Sequence, residues 1–494
     1  MTGSVSTVED MVAGLLTEAW VVDLFTELTA RQRASQDLVD RLRERDVSNH
    51  VFWPFHAPQF PLVVTSAGGC RITDLDGNHY LDCHLGFGAQ ALHGHSPAPV
   101  VEFVRERMGT SPGNGYFHPI ELEFVELLHD LLPHCEQFAF LNSGTDATQA
   151  AIRLARAHTG RRLVAKFEGA LHGVHDLAAH NTAFWYHGQP ATPFPPIGPD
   201  GIAPDPALAG VPVAAHDELL ILPQDAAAAL ALIERHRDRL ACVIAEPVSS
   251  AFPYEEVCVP IVAQVARACR RFNVPFILDE VLTGFRYGIG GAARHFDIAA
   301  DLYCYGKVIS GLGLPLSAVG GRADLLEVMQ TSGVALTDVG VKTCVQTSHA
   351  GNYLALCAGY ASLRLLADEG EPYYTRTRAN VAWLRSELAS FRDRHGIPLR
   401  LLGFGDFIGS FAFVAEDSYP GYREFAAAVN PIGLVLLTLM LRQRGVFTLS
   451  LPMLFTGGAH DRGDLAEVLA AVTDAALALQ RHRFPFVLPV GAHQ

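Results

Sequence analysis

The sequence predicts an α/β fold with a mostly parallel sheet sandwiched by helices, joined to a smaller α/β domain. Two observations predict it. From residue 97 onward, short apolar runs alternate with helical patterns, which is typical of a parallel sheet with helices on both faces. Ionisable residues such as Glu246 and Asp279 stand at the carboxyl ends of these runs, which is where open α/β sheets carry their chemistry. The apolar runs lie at 137–142, 163–169, 240–247 and 274–281.

Length and charge limit the possible partners. The chain has 494 residues, 49% of them hydrophobic, and a formal net charge of −15 from 37 basic and 52 acidic residues. No run of Lys and Arg occurs, so we expect neither nucleic acid nor an anionic membrane as partner. The apolar run at 432–441 is too short to span a bilayer. The first 30 residues are acidic without an early basic cluster, which argues against a secretory signal or transit peptide.

Cysteines and histidines give no sign of a disulfide frame or a metal centre. The nine cysteines are scattered, odd in number and without a CxxC pair, a pattern typical of buried thiols in the cytoplasm. Two close histidine pairs, His93 with His95 and His172 with His175, lack a carboxylate or cysteine at ligand spacing. We therefore expect a soluble, cytoplasmic protein without a metal.

The chain divides into four predicted segments. An amphipathic helical extension covers 1–48, and 49–100 forms the N-terminal part of a small domain, with a hairpin turn at Asp76-Gly77. A large domain covers 101–367, and 368–494 completes the small domain. Within the large domain, the Pro- and Gly-rich stretch 172–225 has the length and composition of a structureless loop, so we expect it to cover a functional site.

Lys307 is the residue whose chemistry is hardest to explain as surface charge. The chain has only three lysines, Lys166, Lys307 and Lys342, among its 37 basic residues. Unlike Arg, a Lys amine can lose its proton and condense with a carbonyl. Asp279 at a strand end together with a Gly-flanked Lys307 suits pyridoxal 5'-phosphate (PLP), with Lys307 forming the Schiff base and Asp279 holding the pyridine nitrogen protonated. The alternative is that Asp279 merely ends a strand and Lys307 lies in a solvated loop.

A second stretch predicts a phosphate site. Asn142, Ser143, Gly144 and Thr145 stand between an apolar strand and an Ala-rich helix. Small residues at a helix N-terminus leave backbone N–H groups free to bind an anion, and the hydroxyls add donors. The alternative is an ordinary N-cap, because Ser and Thr are favoured there.

Together, these motifs resemble the class III (ω-type) aminotransferases of PLP fold type I, which are aspartate-aminotransferase-like, and most closely the glutamate-1-semialdehyde 2,1-aminomutase branch. The resemblance covers roughly residues 53–483 and leaves out the N-terminal extension. The stretches that carry it are DLDGNHYLD, LNSGTDATQAAIRLARAHTG, KFEGALHG, AEPV, ILDEVLTGFR, GKVISGLGLPLSAVGG and AGNYLAL.

The resemblance implies a role for each matching position. Gly144 and Thr145 would hold the cofactor phosphate with Ser143 beside them, Val281 would pack on one face of the ring, and Lys307 would carry the Schiff base opposite Asp279. Further residues implied at the site are Leu171, His172 and Glu246 around the cofactor, and His56 and Phe87 in the substrate pocket.

The resemblance also implies a homodimer with shared active sites. Ser348 stands where the family usually has a Thr that reaches the phosphate of the neighbouring subunit, and Thr347 beside it is a second candidate.

Four positions depart from the family pattern. Leu171 replaces an aromatic residue that stacks on the ring, and Ala251 replaces an Asn that bonds the phenolic oxygen. His56 replaces the aminomutase's substrate-binding Arg, and Pro452 stands near the place of its pocket Glu. Because the covalent and phosphate-binding residues are kept while the substrate environment has changed, the pattern argues against simple glutamate-1-semialdehyde isomerisation.

The leading hypothesis is a PLP-dependent aminotransferase that moves an amino group between an amino acid or primary amine and a keto or aldehyde acceptor. Lys307 would shuttle the proton as general base and acid. The same residues also suit aminomutation, racemisation, elimination or carbon–carbon bond formation. A third hypothesis, an inactive binding subunit on the same fold, predicts loss of Lys307 or Asp279, and both are present.

Overall fold

The computed structural model describes residues 14–46, 60–182, 194–206, 209–212, 217–403, 405, 407–448 and 453–487. Its strands, in chain order, are β1 Val64–Gly68, β2 Arg71–Asp74, β3 His79–Asp82, β4 Gln137–Leu141, β5 Leu163–Phe167, β6 Ile197–Gly198, β7 Gly201–Ile202, β8 Leu219–Leu222, β9 Leu240–Ala245, β10 Phe276–Glu280, β11 Leu302–Tyr305, β12 Ser317–Gly321, β13 Leu399–Leu402, β14 Ile408–Phe413, β15 Val446–Phe447 and β16 Met453–Phe455. Its helices are α1 Ala19–Arg31, α2 Arg33–Arg43, α3 Ala98–Met108, α4 Pro119–Leu131, α5 Gly144–Thr159, α6 Ala226–His236, α7 Glu255–Phe272, α8 Gly291–His295, α9 Ala323–Leu326, α10 Ala335–Asp338, α11 Tyr353–Glu369, α12 Glu371–His395, α13 Tyr422–Ala428, α14 Pro431–Gln443 and α15 Arg462–Arg481.

The central sheet has the strand order β4-β12-β11-β10-β9-β5-β8-β7-β6. Strands β11, β10, β9, β5 and β8 are mutually parallel, whereas β12 runs antiparallel to both of its neighbours. The parallel strands are buried along their whole length, as expected for a sheet covered by helices on both faces. The predicted α/β fold is therefore confirmed, and the predicted strands correspond to β4, β5, β9 and β10.

The stretch 172–225 is not structureless, which corrects the prediction of one long loop. It contains β6, β7 and β8, and β8 pairs with β5 inside the central sheet. Four apolar residues directly after a Pro-rich stretch give no clear period, so the sequence pattern did not separate this short buried strand from a loop. Residues 183–193, 207–208 and 213–216 of the expected cover lie outside the described residues.

Two smaller sheets lie outside the central sheet, and one of them joins the N- and C-terminal parts of the chain. One has the order β1-β2-β3-β15, with Leu81 opposite Val446 and Asp82 opposite Phe447 in parallel pairing. The other is β13-β14-β16. The hairpin predicted at Asp76-Gly77 is present between β2 and β3. Long-range pairing thus makes one unit out of segments that are far apart in sequence.

The N-terminal extension packs on this unit. Leu24 and Leu28 of α1 are buried in a core shared with α12, α14 and α15. The division at residues 48, 100 and 367 remains a proposal. Helix α11 continues to Glu369, so Gly370 between α11 and α12 is a better place for the last boundary.

In the described part of the chain, no single helix is long and apolar enough to cross a membrane. Helices α13 and α14 pass that test only as a pair, across a 65° bend.

Candidate active site

A cavity of about 400 Å³ lies where the carboxyl ends of β4, β5, β9, β10 and β11 meet. Of the mutually parallel strands β11, β10, β9, β5 and β8, all except β8 have residues at or after their carboxyl ends that line this cavity. Open α/β sheets carry their binding sites at this position. The lining residues are Phe87, Ser143, Gly144, Thr145, Thr148, Leu171, His172, Gly173, Val174, Glu246, Ser250, Asp279, Val281, Leu282, Lys307, Met453 and Phe455.

Helix α5 begins at this cavity with its N-terminus. Ser143 is the N-cap, and its Oγ accepts a hydrogen bond from the backbone N–H of Asp146 at 3.2 Å. The N–H groups of Gly144 and Thr145 belong to the first turn, which has no partners within the helix. A Cβ at Gly144 would lie 2.7 Å from Cγ1 of Val281, so only glycine fits there. The same turn can therefore contain both the N-cap of α5 and the predicted phosphate site, so the two interpretations of this stretch do not exclude each other.

Asp279 and His172 form a buried pair. His172 Nδ1 lies 2.7 Å from Asp279 Oδ2, and Asp279 Oδ1 accepts a hydrogen bond from the N–H of Val281 at 3.0 Å. A carboxylate partner assigns the proton to Nδ1. Burial lowers the pKa of His172, while Asp279 opposes that shift. His172 Nε2 is buried and has no partner among the described residues.

Adjacent Glu280 faces the other side of the sheet. Its carboxylate accepts hydrogen bonds from Thr283 Oγ1 at 3.1 Å and from the N–H groups of Ala292 and Ala293 at 2.8 and 2.9 Å. Successive side chains of a strand point to opposite faces. The two adjacent carboxylates therefore have different tasks: Asp279 faces the cavity, whereas Glu280 holds the start of α8.

Lys307 follows β11 and starts a short 3₁₀ turn, with φ of 48°. Positive φ is uncommon for a residue other than glycine and often marks a functional position. Its Nζ makes no hydrogen bond among the described residues and lies 6.0 Å from the ring centre of Phe87. Burial, and next the charge of Arg286, lower the pKa of Lys307 to about 8. A useful fraction of this amine is therefore neutral near physiological pH.

Glu246 closes the floor of the cavity after β9. Its two carboxyl oxygens accept hydrogen bonds from the backbone N–H groups of Leu171 and Ser250 at 3.1 and 3.2 Å. Burial, and next the charge of Asp279, raise the pKa of Glu246 to about 8. Around neutral pH this group is mainly an uncharged carboxylic acid that fixes the turn carrying Leu171.

The structure brings most of the predicted site residues together. Those that line the one cavity are Phe87, Ser143, Gly144, Thr145, Leu171, His172, Glu246, Asp279, Val281 and Lys307. Thr347 and Ser348 are exposed and do not line it, although Thr347 Oγ1 accepts a hydrogen bond from Asn142 Nδ2 at 2.5 Å. His56 and Pro452 lie outside the described residues.

Several lining residues were missed by the sequence analysis. In the turn after β9 the residue at the cavity is Ser250, with its hydroxyl buried and unpartnered in the described structure, and not the expected Ala251. The motif's spacing could have suggested Ser250 once a one-residue gap was allowed. Met453 and Phe455 of β16 also face the cavity, and no local pattern marked them.

The residues present fit PLP. The cavity offers an amine without a hydrogen-bond partner at Lys307, a buried carboxylate at Asp279, free N–H groups at Gly144 and Thr145, and apolar walls at Val281. These are the partners that a phosphorylated pyridine aldehyde requires. Fold and site together define a PLP-dependent enzyme.

Comparison with known proteins specifies the family. Residues 54–454 match the model of the class III aminotransferases. The chain is 35% identical over 354 residues to glutamate-1-semialdehyde 2,1-aminomutase of Thermomicrobium roseum, covering 71% of this chain and 76% of that protein. An omega-transaminase from Sphaerobacter thermophilus has a similar structure, with a TM-score of 0.79 and 25% identity over 90% of this chain and 97% of the other. A structure described as a transaminase with PLP bound has a TM-score of 0.76 at 23% identity, covering 91% and 99%.

The chain belongs to the class III aminotransferase family. The resemblance, the fold type and the cofactor expected from the sequence are confirmed. The protein is a PLP-dependent enzyme of the aminotransferase and aminomutase type.

Proposed function

We propose that this enzyme transfers an amino group between an amine or amino acid and a separate keto or aldehyde acceptor. The observation that carries the proposal is the convergence of Lys307, Asp279 and the N-terminus of α5 on one cavity. Transfer is preferred to isomerisation because the resemblance implies that His56 replaces the aminomutase's substrate-binding Arg and that Pro452 stands near the place of its pocket Glu. The walls contributed by Met453 and Phe455 are apolar.

Each residue has a proposed task at this site. The N–H groups of Gly144 and Thr145 would bind the phosphate of PLP, and the Asp279 carboxylate would hold a proton on the pyridine nitrogen. Val281 and Leu171 confine the ring. When bound, PLP supplies an electron-withdrawing ring that makes the substrate Cα–H bond acidic. The neutral Nζ of Lys307 takes the proton from the substrate Cα and later returns a proton during turnover.

The test separates transfer from isomerisation. Purified enzyme loaded with PLP is incubated with a panel of amines and amino acids, with and without keto acids and aldehydes as acceptors. Transfer predicts new amine only when donor and acceptor are both present. Glutamate-1-semialdehyde supplied alone is the comparison substrate, and its efficient conversion to an isomer without any acceptor contradicts the proposal.

We further propose a homodimer in which Thr347 and Ser348 complete the phosphate site of the partner subunit. Two features support it. Lys307 is the sole Arg or Lys among the described lining residues of the cavity, so the phosphate needs further donors. Large apolar side chains are exposed, with Phe117 97% and Leu336 91% accessible, and Asn114 shortly before Phe117 lies 2.6 Å from the His349 ring next to Ser348. Such surfaces are typical of protein contacts.

Mixed dimers test this arrangement. A Lys307→Ala chain is combined with a Thr347→Ala/Ser348→Ala chain, and the mixture is measured by sedimentation and activity. Shared sites predict that one complete site is regained in each mixed dimer. A monomer that retains PLP as tightly as the concentrated protein contradicts the proposal.

The proposed compartment is the cytoplasm. Support comes from the nine cysteines, all of which are free thiols and eight of which are buried. Cell fractionation with an antibody to this chain tests it, and an extracellular location of the active enzyme contradicts it.

A further inference from the structure

Four consecutive residues at the edge of the cavity, 85–88, adopt positive φ values. They are Leu85 at 45°, Gly86 at 59°, Phe87 at 56° and Gly88 at 79°. A left-handed turn is unfavourable for residues with a side chain, and it normally occurs as single residues rather than runs. A run that includes Leu and Phe persists only if surrounding groups hold it.

Side chains of the preceding strand end hold the start of this turn. Asp82 Oδ1 accepts hydrogen bonds from the N–H groups of His84 and Leu85 at 2.7 and 3.1 Å. The N–H of Phe87 donates to His84 Nε2 at 2.9 Å. A backbone N–H can only donate, so His84 Nε2 accepts and the imidazole is neutral, with its proton on Nδ1. Consistent with this, burial lowers the pKa of His84 to about 4.

Arg286 holds the end of the turn. Its Nη2 donates to the carbonyl oxygen of Gly88 at 2.6 Å, and its guanidinium lies 5.6 Å from the ring centre of Phe455. Arg286 is only 1% exposed, and its Nε and Nη1 have no partner in the described part of the chain. Burying a guanidinium without a carboxylate is costly. A cation kept under these conditions indicates a task beyond packing.

Gly88 is fixed by the same contacts. A Cβ there would lie 2.7 Å from Arg286 Nη2 and 2.6 Å from the Phe455 ring, in addition to the strain of its positive φ. The turn 85–88, the Arg286 side chain and the Phe455 ring are therefore packed against one another. Because the packing is tight, a shift of one of them displaces the others.

The residue that this assembly delivers to the cavity is Phe87. It lines the wall together with Met453 and Phe455, and its ring centre lies 6.0 Å from Nζ of Lys307. We propose that Arg286 and His84 are positioning residues that hold the left-handed turn 85–88, so that Phe87 determines which amine side chains reach Lys307. The inference rests on the proposed aminotransferase function for its kinetic part only.

A crystallographic comparison tests the positioning part. The variant is Arg286→Met, which keeps the length and apolar stem but removes the donor. Arg161→Met is the control, because Arg161 Nη1 also donates to backbone carbonyl oxygens, those of Leu240 and Asn273, which lie at or just before the amino ends of β9 and β10 and away from the cavity. We expect a changed turn and a displaced Phe87 in the first variant only. An unchanged Phe87 in Arg286→Met overturns the proposal.

Selectivity between two amines tests the consequence for function. Bleaching of the cofactor's visible absorbance is followed with 1-phenylethylamine and with 2-aminobutane, one bulky and one small. The ratio of their rate constants should change at least about tenfold in Arg286→Met and in Phe87→Ala. It should stay near the wild-type value in Arg161→Met, and Arg286→Lys should restore it in part. Equal losses for both amines in Arg286→Met contradict a role in selectivity.

The experiments distinguish a failure of the positioning proposal from a failure of the proposed function. If Arg286→Met does not fold, His84→Phe tests the same claim, because it keeps an aromatic ring but offers no acceptor to the N–H of Phe87. The same displacement and the same change of ratio are expected, and their absence overturns the proposal. If wild-type enzyme reacts with no amine, the proposed function fails, whereas the crystallographic comparison still decides whether Arg286 positions Phe87.

Discussion

Two lysines lie in or just after parallel strands of the central sheet that are separated by β10 and β9, and they differ in what surrounds their amines. Lys166 in β5 is fully buried, and its Nζ donates to the carbonyl oxygens of Ala178 and His180 at 2.9 and 2.7 Å, with Thr182 Oγ1 at 3.3 Å. Lys307 after β11 is partly exposed to the cavity and has no hydrogen bond from Nζ among the described residues.

The difference shows which amine is available for chemistry. Burial lowers the pKa of both groups, to about 7 for Lys166 and about 8 for Lys307. A lowered pKa therefore does not identify the reactive lysine. The acceptors around Lys166 bind its N–H groups and tie β5 to the segment 178–182, so this amine is structural. Lys307 keeps its lone pair open to the cavity.

The largest expected effect follows Lys307→Ala. Without this amine the enzyme loses both the attachment point of PLP and the base that moves the substrate proton, so turnover should fall at least about 10³-fold. PLP should still bind weakly through the N-terminus of α5. Lys342→Ala, at a surface lysine that donates to the carbonyl of Glu327, is the control and should be unaffected. Near-normal turnover in Lys307→Ala would show that another group attaches PLP and moves the substrate proton.

Asp279→Asn is expected to have the next largest effect. An amide cannot hold a proton on the pyridine nitrogen, so the rate should fall at least about 100-fold while PLP remains attached. Glu280→Gln is the matched control, because Glu280 holds the N–H groups of α8 on the opposite face. It should lower the free energy of unfolding by about 1–2 kcal/mol with little change in rate. If Glu280→Gln lowered the rate and Asp279→Asn lowered only the free energy of unfolding, the assigned roles of the two carboxylates would be wrong.

Lys166→Met should lower stability and leave the chemistry in place. It removes the Nζ donor from the carbonyl oxygens of Ala178 and His180, and the single hydroxyl proton of Thr182 can still serve only one of them. We expect a decrease of about 1–3 kcal/mol in the free energy of unfolding, measured with denaturant. The visible absorbance of attached PLP should persist. Loss of that absorbance in well-folded Lys166→Met would contradict a purely structural role.

The smallest effect concerns pH. The lowered pKa of Lys307, about 8, means that its neutral, nucleophilic form dominates above that pH in the PLP-free protein. The rate of PLP attachment should therefore rise about tenfold between about pH 7 and 9 and then level off. Lys166→Met should show the same profile, since its amine is not the one that reacts. A plateau that begins only near the ordinary lysine pKa would show that Lys307 is not perturbed.

Local sequence patterns were sufficient to predict the residues on the cofactor side of the site. Asp279 could be predicted because a buried strand ends at it, and Gly144 and Thr145 because a strand, small residues and a helix follow one another. The opposite wall depends on pairing across the chain. Phe455 reaches the cavity because its N–H bonds the carbonyl of Cys83, hundreds of residues earlier, and no short motif encodes that contact.

The same physical reason explains the other misses. Strands β8, β11 and β12 are four or five residues long and buried on both faces, so their sequences show no alternation of apolar and polar residues. The left-handed turn at 85–88 contradicts the intrinsic preference of Leu85 and Phe87, and it exists because His84 and Arg286 hold it. Tertiary contacts decided each of these features.

Covalent mapping tests the central claim most directly. The PLP-loaded enzyme is reduced with borohydride and digested, and the residue that carries the pyridoxyl group is located by mass spectrometry. With only three lysines in the chain, the outcome is unambiguous. We predict the group on Lys307 alone, whereas its appearance on Lys166 or Lys342 would contradict the assignment of the reactive amine.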